Sequence, residues 1–207
     1  MKNYDIVTID GDGIGPEVCP SAVTVLREAC GSRLRFLPAD GGAAHYAKTG
    51  AVLPDDTYAA CRDSHAILHG AAGLPGITYP DGTEVGNDLH LQLRFKLDLY
   101  ANVRPIRLYR GVTSPLSGWT AGSIDYVIVR ENTEGLYASR GAGINLRGEV
   151  ATDTLVMTRK GVERVARFSF DLARRRGGAR RDGQRRVTVC DKANILRSYA
   201  FFRAVCT

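Results

Sequence analysis

Apolar positions along the chain switch repeatedly between a period of two and a helical period, the pattern of strands alternating with helices. Residues 4–9 (YDIVTI) form a short β-rich run. Residues 16–29 follow helical spacing, with Pro16 suited to a first turn. Pro20 would remove an interior hydrogen bond, so the regular helix is expected to begin nearer Pro20. Residues 35–37 predict a weak strand, and Leu53-Pro54-Asp55-Asp56 a turn into a helix through Cys61. Residues 65–70 (HAILHG) predict a buried strand, and glycines and prolines mark residues 71–87 as loop.

Further on, residues 88–99 predict a helix with Leu89, Leu93 and Leu97 on one stripe and Arg94 beside it. Residues 101–109, 125–130 and 150–157 predict strands. Thr158 is placed to cap a helix reaching Arg175, whose core face is Val162, Val165, Ala166, Ser169, Leu172 and Ala173. Residues 187–190 predict another strand and residues 195–205 another helix. Such alternation implies an α/β fold. The long loop and the change of pattern near Tyr100 suggest a first α/β domain at 1–99 and a second domain at 100–207.

Composition adds little to this: 207 residues, 44% hydrophobic and 24% charged, are ordinary for a globular protein of one large or two small domains. No apolar run approaches the ~18–20 residues of a membrane span. The start, MKNYDIVTID, shows no signal-peptide core. Five cysteines without C-x-x-C spacing fit a reducing cytoplasm better than a disulfide framework or a zinc site. The net charge of +6 is carried entirely by residues 174–186, with seven arginines against Asp182. That stretch reads as a solvated Gly-rich loop after a helix, and it lacks aromatics to stack bases, so no nucleic-acid partner is expected.

Candidate chemistry lies elsewhere. Arg94, Arg104 and Arg130 sit in apolar or turn contexts, LQLRFKLDLYANVRP and DYVIVRENTEGLY, that do not call for a cation. Guanidinium groups there suit a small molecule with more than one carboxylate, which each can grip through two parallel hydrogen bonds. Tyr137, near Arg130, could exchange protons with a substrate; equally, it could only pack a loop. Lys192, after Asp191 in VTVCDKAN, could be a general base or simply a salt-bridge partner of Asp191. The turn DGDGIGPE suits a backbone passing near a phosphate or nicotinamide, yet it is neither a dinucleotide fingerprint nor a Walker loop. His45, His65, His69 and His90 show no metal-ligand spacing and read as structural.

Together, GDGIGPE, LRFKLDLYANVRP, RENTEGLY, TRKGVERVARFSFDLA and DKANIL occur in the order of one family. Across essentially its whole length the chain resembles the metal-dependent β-decarboxylating dehydrogenases acting on isocitrate, isopropylmalate, homoisocitrate or tartrate. The resemblance implies an isopropylmalate-dehydrogenase-like two-domain α/β fold in a cytoplasmic homodimer, with NAD or NADP and Mg2+ or Mn2+ as cofactors. Its substrate would be a 2-hydroxy di- or tricarboxylate, with no nucleic-acid or membrane partner. Arg94, Arg104 and Arg130 then match the carboxylate-holding arginines. Tyr137 matches the acid that protonates the enol, and Lys192 the base contributed by the neighbouring subunit. Asn87 and Asn194 fall on the nicotinamide side.

The family continues past the position of Thr207, where its D-x-x-x-D metal ligands and adenosine-binding loop follow. The expectation is therefore a truncated member with an incomplete fold, exposed sheet edges and no metal ligands of its own, or else a non-catalytic remnant or subunit. Before Arg94, polar Asp88 and His90 lean away from isopropylmalate toward a more polar substrate, while Leu89 and Leu91 keep isopropylmalate open.

Overall fold

The computed structural model of the chain describes residues 2–179 and 182–207. The backbone divides after Asp98 into two compact units.

In the first unit, β1 (Tyr4–Ile9), β2 (Leu34–Ala39) and β3 (Ala66–His69) form a parallel sheet in the order β2-β1-β3. Parallel neighbours need crossovers rather than tight turns. Here α1 (Gly15–Cys30) follows β1, and α2 (Ala43–Thr49) and α3 (Asp55–Asp63) follow β2. The central strand pairs on both edges, Val7 lying between Leu37 and Ile67. Its Val7, Thr8 and Ile9 are accordingly buried in succession rather than alternately. A fourth helix, α4 (Gly86–Lys96), lays Leu89 and Leu93 into the core formed by Val7 and Ile9, with Leu97 at its margin.

Local boundaries differ from the sequence pattern in three places. α1 begins at Gly15 and runs through Pro20. Pro16 and Pro20 are both exposed, so the Pro16 carbonyl that loses its helical donor stays open to water. The loop after β3 ends earlier than expected, because α4 already includes Asn87. α2 has no clear apolar period; its start is fixed by a distant carboxylate described below.

In the second unit, β4 (Ala101–Arg107) runs antiparallel to β5 (Asp125–Glu131), Asn102 opposite Arg130 and Arg104 opposite Ile128. A separate hairpin, β6 (Ile144–Leu146) with β7 (Val150–Thr152), is exposed at every residue. α5 (Arg159–Arg175) packs on β5 and on α6 (Arg197–Cys206). Thr158 caps α5 as its position predicts, its hydroxyl accepting from the Gly161 N–H at 3.0 Å.

Two predicted strands fail here. Of residues 150–157, only β7 is strand; past it, the Ser139 hydroxyl accepts from the Thr154 N–H at 3.2 Å, and Val156 makes a single bridge to Gly135. Residues 187–190 are irregular chain, lining a cavity of about 1080 Å³ with β5, α5 and α6. A short apolar run becomes a strand only when a neighbouring edge takes up its hydrogen bonds. Among the described residues β5 pairs with β4 alone. Arg180 and Arg181 of the arginine-rich loop lie outside the described residues.

Candidate functional site

The glycine-rich turn after β1 is organised by Asp12, which is 1% exposed. Its carboxylate accepts from the N–H groups of Ala43, Ala44 and Gly73, each at 2.8 Å. Its own N–H donates to the Ala71 carbonyl at 2.7 Å. One side chain thus joins the β1–α1 turn, the start of α2 and the loop after β3. It also fills the α2 N-terminus, where free amides would otherwise attract an anion. Gly11 is required at φ +72°, and a Cβ there would run into the Ala71 carbonyl oxygen.

The histidines of this unit fill structural places. His65 Nδ1 accepts from the Asp5 N–H at 3.1 Å, and its ring meets Tyr4 edge-on at 5.3 Å. His69 and His90 lie edge to face with ring centres 6.5 Å apart. Arg94, in the last turn of α4, is half-buried and complements the helix dipole there. Asn87, in the first turn, is exposed and donates to the Glu84 carboxylate at 2.8 Å.

The second unit carries Arg104, Arg130, Tyr137, Lys192 and Asn194. On the β4–β5 ladder, Arg104 and Arg130 are diagonal neighbours on one face, which puts their Cβ atoms roughly 7–8 Å apart. That face also carries Asn102, Ile106, Tyr126 and Ile128, and no carboxylate from either strand. The acidic residues of β5 point the other way. Asp125 binds Arg176 at 2.5 Å and Arg107 at 3.1 Å, and Glu131 lies 3.4 Å from Arg164. The Arg176 hydrogen bond, and then the charge of Arg107, hold the Asp125 carboxyl below the usual carboxylate range. The carboxylates of the ladder thus lie on one side, paired with Arg107, Arg164 and Arg176, and the opposite face keeps Arg104 and Arg130 with no carboxylate from either strand.

Tyr137 stands on a 3-10 turn, Leu136–Ser139, and is partly exposed. The Arg130 guanidinium carbon lies 5.4 Å from its ring centre. The intervening loop is tied down at every step. Glu131 accepts from the N–H groups of Thr133 and Glu134 at 2.8 and 2.6 Å. Asn132 donates to the carbonyls of Tyr100, through its backbone at 2.8 Å, and Leu99, through its side chain at 3.3 Å. Glu134 accepts from the Thr158 N–H at 2.8 Å and from its hydroxyl at 2.5 Å. Arg164 donates to the Thr133 hydroxyl at 2.6 Å and lies over the Tyr100 ring at 4.6 Å.

Lys192 and Asn194 are exposed on a turn that leads into α6. The alternative of a Lys192–Asp191 salt bridge is not what forms. Asp191 accepts instead from both Arg203 Nε at 2.9 Å and Arg203 Nη2 at 2.7 Å, and from the Ala193 N–H at 2.8 Å.

Among the described residues no group of three or more His, Cys, Asp and Glu comes together to hold a metal ion, and no helix is long and apolar enough to cross a membrane. The five cysteines are free thiols, and burial pushes those of Cys61 and Cys206 up. The sequence reading missed Asp12, which holds the glycine-rich turn, and Glu131, Glu134, Arg164 and Arg203, which tie down the segments around Tyr137 and Lys192. Only Glu134 left a trace: Thr158 lacks the acidic residue three positions on that completes a capping box, so a carboxylate from elsewhere was needed.

The sequence model of a family described as isocitrate/isopropylmalate dehydrogenase matches residues 5–207. The chain is 43% identical over 199 residues to a 3-isopropylmalate dehydrogenase of Bifidobacterium longum subsp. infantis, covering 94% of this chain and 54% of the relative. It is 41% identical over 194 residues to a 3-isopropylmalate/3-methylmalate dehydrogenase of Methanocaldococcus jannaschii, covering 94% and 52%. An isocitrate dehydrogenase structure from Methylococcus capsulatus superposes with a TM-score of 0.79 at 35% identity, covering 98% of this chain and 56% of that one. A β-decarboxylating dehydrogenase structure from Thermococcus kodakarensis gives 0.72 at 36%, covering 98% and 53%. The chain therefore spans about half the length of the relatives it matches.

Proposed function

Because the chain belongs to the isocitrate/isopropylmalate dehydrogenase family, we propose that it supplies the substrate-gripping part of an oxidoreductase. The reaction is oxidative decarboxylation of a malate-type 2-hydroxy acid with NAD or NADP and a divalent cation, in a cytoplasmic homodimer. One observation carries this reading: Arg104 and Arg130 share a face free of strand carboxylates, and Arg130 stacks on Tyr137.

Each residue has a role its chemistry can fill. Arg94, Arg104 and Arg130 grip the substrate carboxylates and so fix the orientation of the C2 hydrogen. Lys192, acting from the neighbouring subunit, accepts the hydroxyl proton as the C2 hydride leaves. When bound, the nicotinamide is the hydride acceptor. Carbon dioxide then departs from the β-keto acid, its bonding electron pair forming an enol, and Tyr137 protonates the carbon. Asn87 and Asn194, both exposed amides, serve the nicotinamide side. The described residues do not make a metal site, so no step here runs through Mg2+ or Mn2+.

The residues around Arg94 favour a substrate more polar than isopropylmalate. Leu89 and Leu91 are 0% and 6% exposed, which leaves them buried in the first unit rather than lining an isopropyl pocket. Asp88 is committed internally, accepting from the Tyr79 hydroxyl at 2.9 Å and from Gln92 at 2.8 Å. His90 adds a half-buried polar ring one helical turn before Arg94. Isocitrate, homoisocitrate and tartrate are the fitting classes.

The test is calorimetric titration of the purified chain with isocitrate, tartrate and isopropylmalate, followed by nicotinamide reduction with Mg2+ or Mn2+. Salt-sensitive binding of the polar acids supports the reading, and no binding of any of them ends it. Binding without turnover favours the second reading, a non-catalytic remnant or subunit.

A further inference from the structure

The turn that presents Lys192 and Asn194 has an anchor that does not itself face outward. The side chain of Asp191 is 1% exposed, whereas that of Arg203, two turns into α6, is 57% exposed and lies over it. The fork is complete: Nε and Nη2 of Arg203 meet different oxygens of one carboxylate. The Oδ1 oxygen also accepts from Ala193, closing an Asx turn around Lys192. The Lys192 carbonyl then accepts from Ile195 at 3.1 Å and Leu196 at 3.0 Å, starting the entry into α6. The Arg203 hydrogen bond also holds the Asp191 carboxyl below the ordinary range, so the anion persists to a lower pH than that of a free aspartate.

A carboxylate adjacent in sequence to a lysine would ordinarily compete for its ammonium. We infer that Arg203 is a positioning residue for Lys192: its guanidinium occupies both oxygens of Asp191, holding the Lys192–Asn194 turn against α6 and keeping the neighbouring anion from capturing the amine. The inference rests on the proposed role of Lys192 for its catalytic meaning, but the geometry can be tested without any substrate.

The experiment is acylation of the full chain with N-acetoxysuccinimide, read by peptide mass spectrometry with exposed Lys160 as internal reference. In Arg203→Gln the freed Asp191 should pair with Lys192 and slow its acylation about 2- to 5-fold, the worth of an exposed ion pair. Adding Asp191→Asn to that variant should restore the wild-type rate, which a purely structural role would not do. An unchanged rate in Arg203→Gln, or a slowed rate that Asp191→Asn does not restore, overturns the inference. Should Arg203→Gln fail to fold, Arg203→Lys keeps the charge and loses the fork; it should slow the reaction less, and equality with wild type is again fatal. Labelling needs no turnover, so a silent dehydrogenase assay beside this pattern would sink the proposed function and spare the anchor. Turnover without the pattern would do the reverse.

Discussion

The guanidinium of Arg130 and the ring of Tyr137 are stacked 5.4 Å apart, carbon to ring centre, although one lies near the end of a strand and the other in a separate 3-10 turn. The loop between them is bonded to the Leu99 and Tyr100 carbonyls just before β4 and to the head of α5, so the pair is held as a unit rather than by its own attraction. An exposed cation–π contact is worth only ~0.5–1 kcal/mol. Arg130→Met should therefore lower the urea midpoint slightly, by no more than that energy. A charged hydrogen bond to a ligand carboxylate contributes ~1.5–3 kcal/mol. The same variant should then weaken isocitrate binding about 10- to 100-fold by calorimetry. Unchanged affinity would remove Arg130 from the site.

Asp12 makes a contrasting case, because its partners are all internal. Asp12→Ala strips the acceptor from three backbone N–H groups, those of Ala43, Ala44 and Gly73. At ~1–3 kcal/mol for each unsatisfied buried group, the loss should be about 3 kcal/mol or more. Asp12→Asn keeps one oxygen and should fall between the variant and wild type. Hydrogen exchange at those three amides is the specific check. Fast exchange there with protection retained in β1 would place the damage where the carboxylate acts.

These two aspartate and arginine cases show what the sequence discloses and what it withholds. The Leu89-Leu93-Leu97 stripe, the Thr158 cap and the strand around Arg130 are local patterns with a fixed period or a fixed offset, and all appear in the structure. α2 is different: its start depends on Asp12, separated from it by about thirty residues of chain, and no local period announces such a bond. Residues 187–190 fail for the complementary reason, since a strand exists only with a partner edge and sequence cannot supply one. Arg104 and Arg130 stand out in the sequence as cations in apolar runs, but the structure leaves both exposed, so neither is a buried cation in need of an anion. Their shared face needed the register, which sequence does not fix. Arg164 and Arg203 looked like ordinary helix-surface charges until their partners were known.

The head of α5 offers a test in which propensity and packing disagree in sign. Alanine normally stabilises a helix relative to glycine, by ~1 kcal/mol in an interior position. At Gly161 a Cβ would collide with the Glu134 carboxylate, which already holds the Thr158 N–H and hydroxyl. Gly161→Ala should thus destabilise the second unit, and Glu134→Ala in the same chain should recover part of the loss. Thr158→Ala should cost about 1 kcal/mol through the cap alone. Chemical denaturation of the three variants beside wild type decides it. A stabilised Gly161→Ala would mean that propensity wins and that the Glu134 contact is soft.

Acid should release α5 from the ladder before it melts the rest of the second unit. The Asp125 carboxyl is lowered first by the Arg176 hydrogen bond and further by the charge of Arg107. A group whose folded pKa is depressed binds fewer protons folded than unfolded, so stability rises with pH through its range. The contribution is complete above the unfolded carboxylate value, near ~4, and is lost as pH falls through the lower folded value. Asp191, held by Arg203, acts with the same sign, so the two tethers should weaken over one acid window. Urea midpoints measured from about pH 5 downward should fall on acidification, and Asp125→Asn should flatten that fall. In Arg176→Gln the fall should be shallower and should end at a higher pH, because the folded carboxyl returns toward its ordinary value while the unfolded one is unchanged. If the fall is as deep in that variant as in wild type, the Arg176 contact is not what holds Asp125 ionised, and the end of α5 is fastened by its apolar face alone.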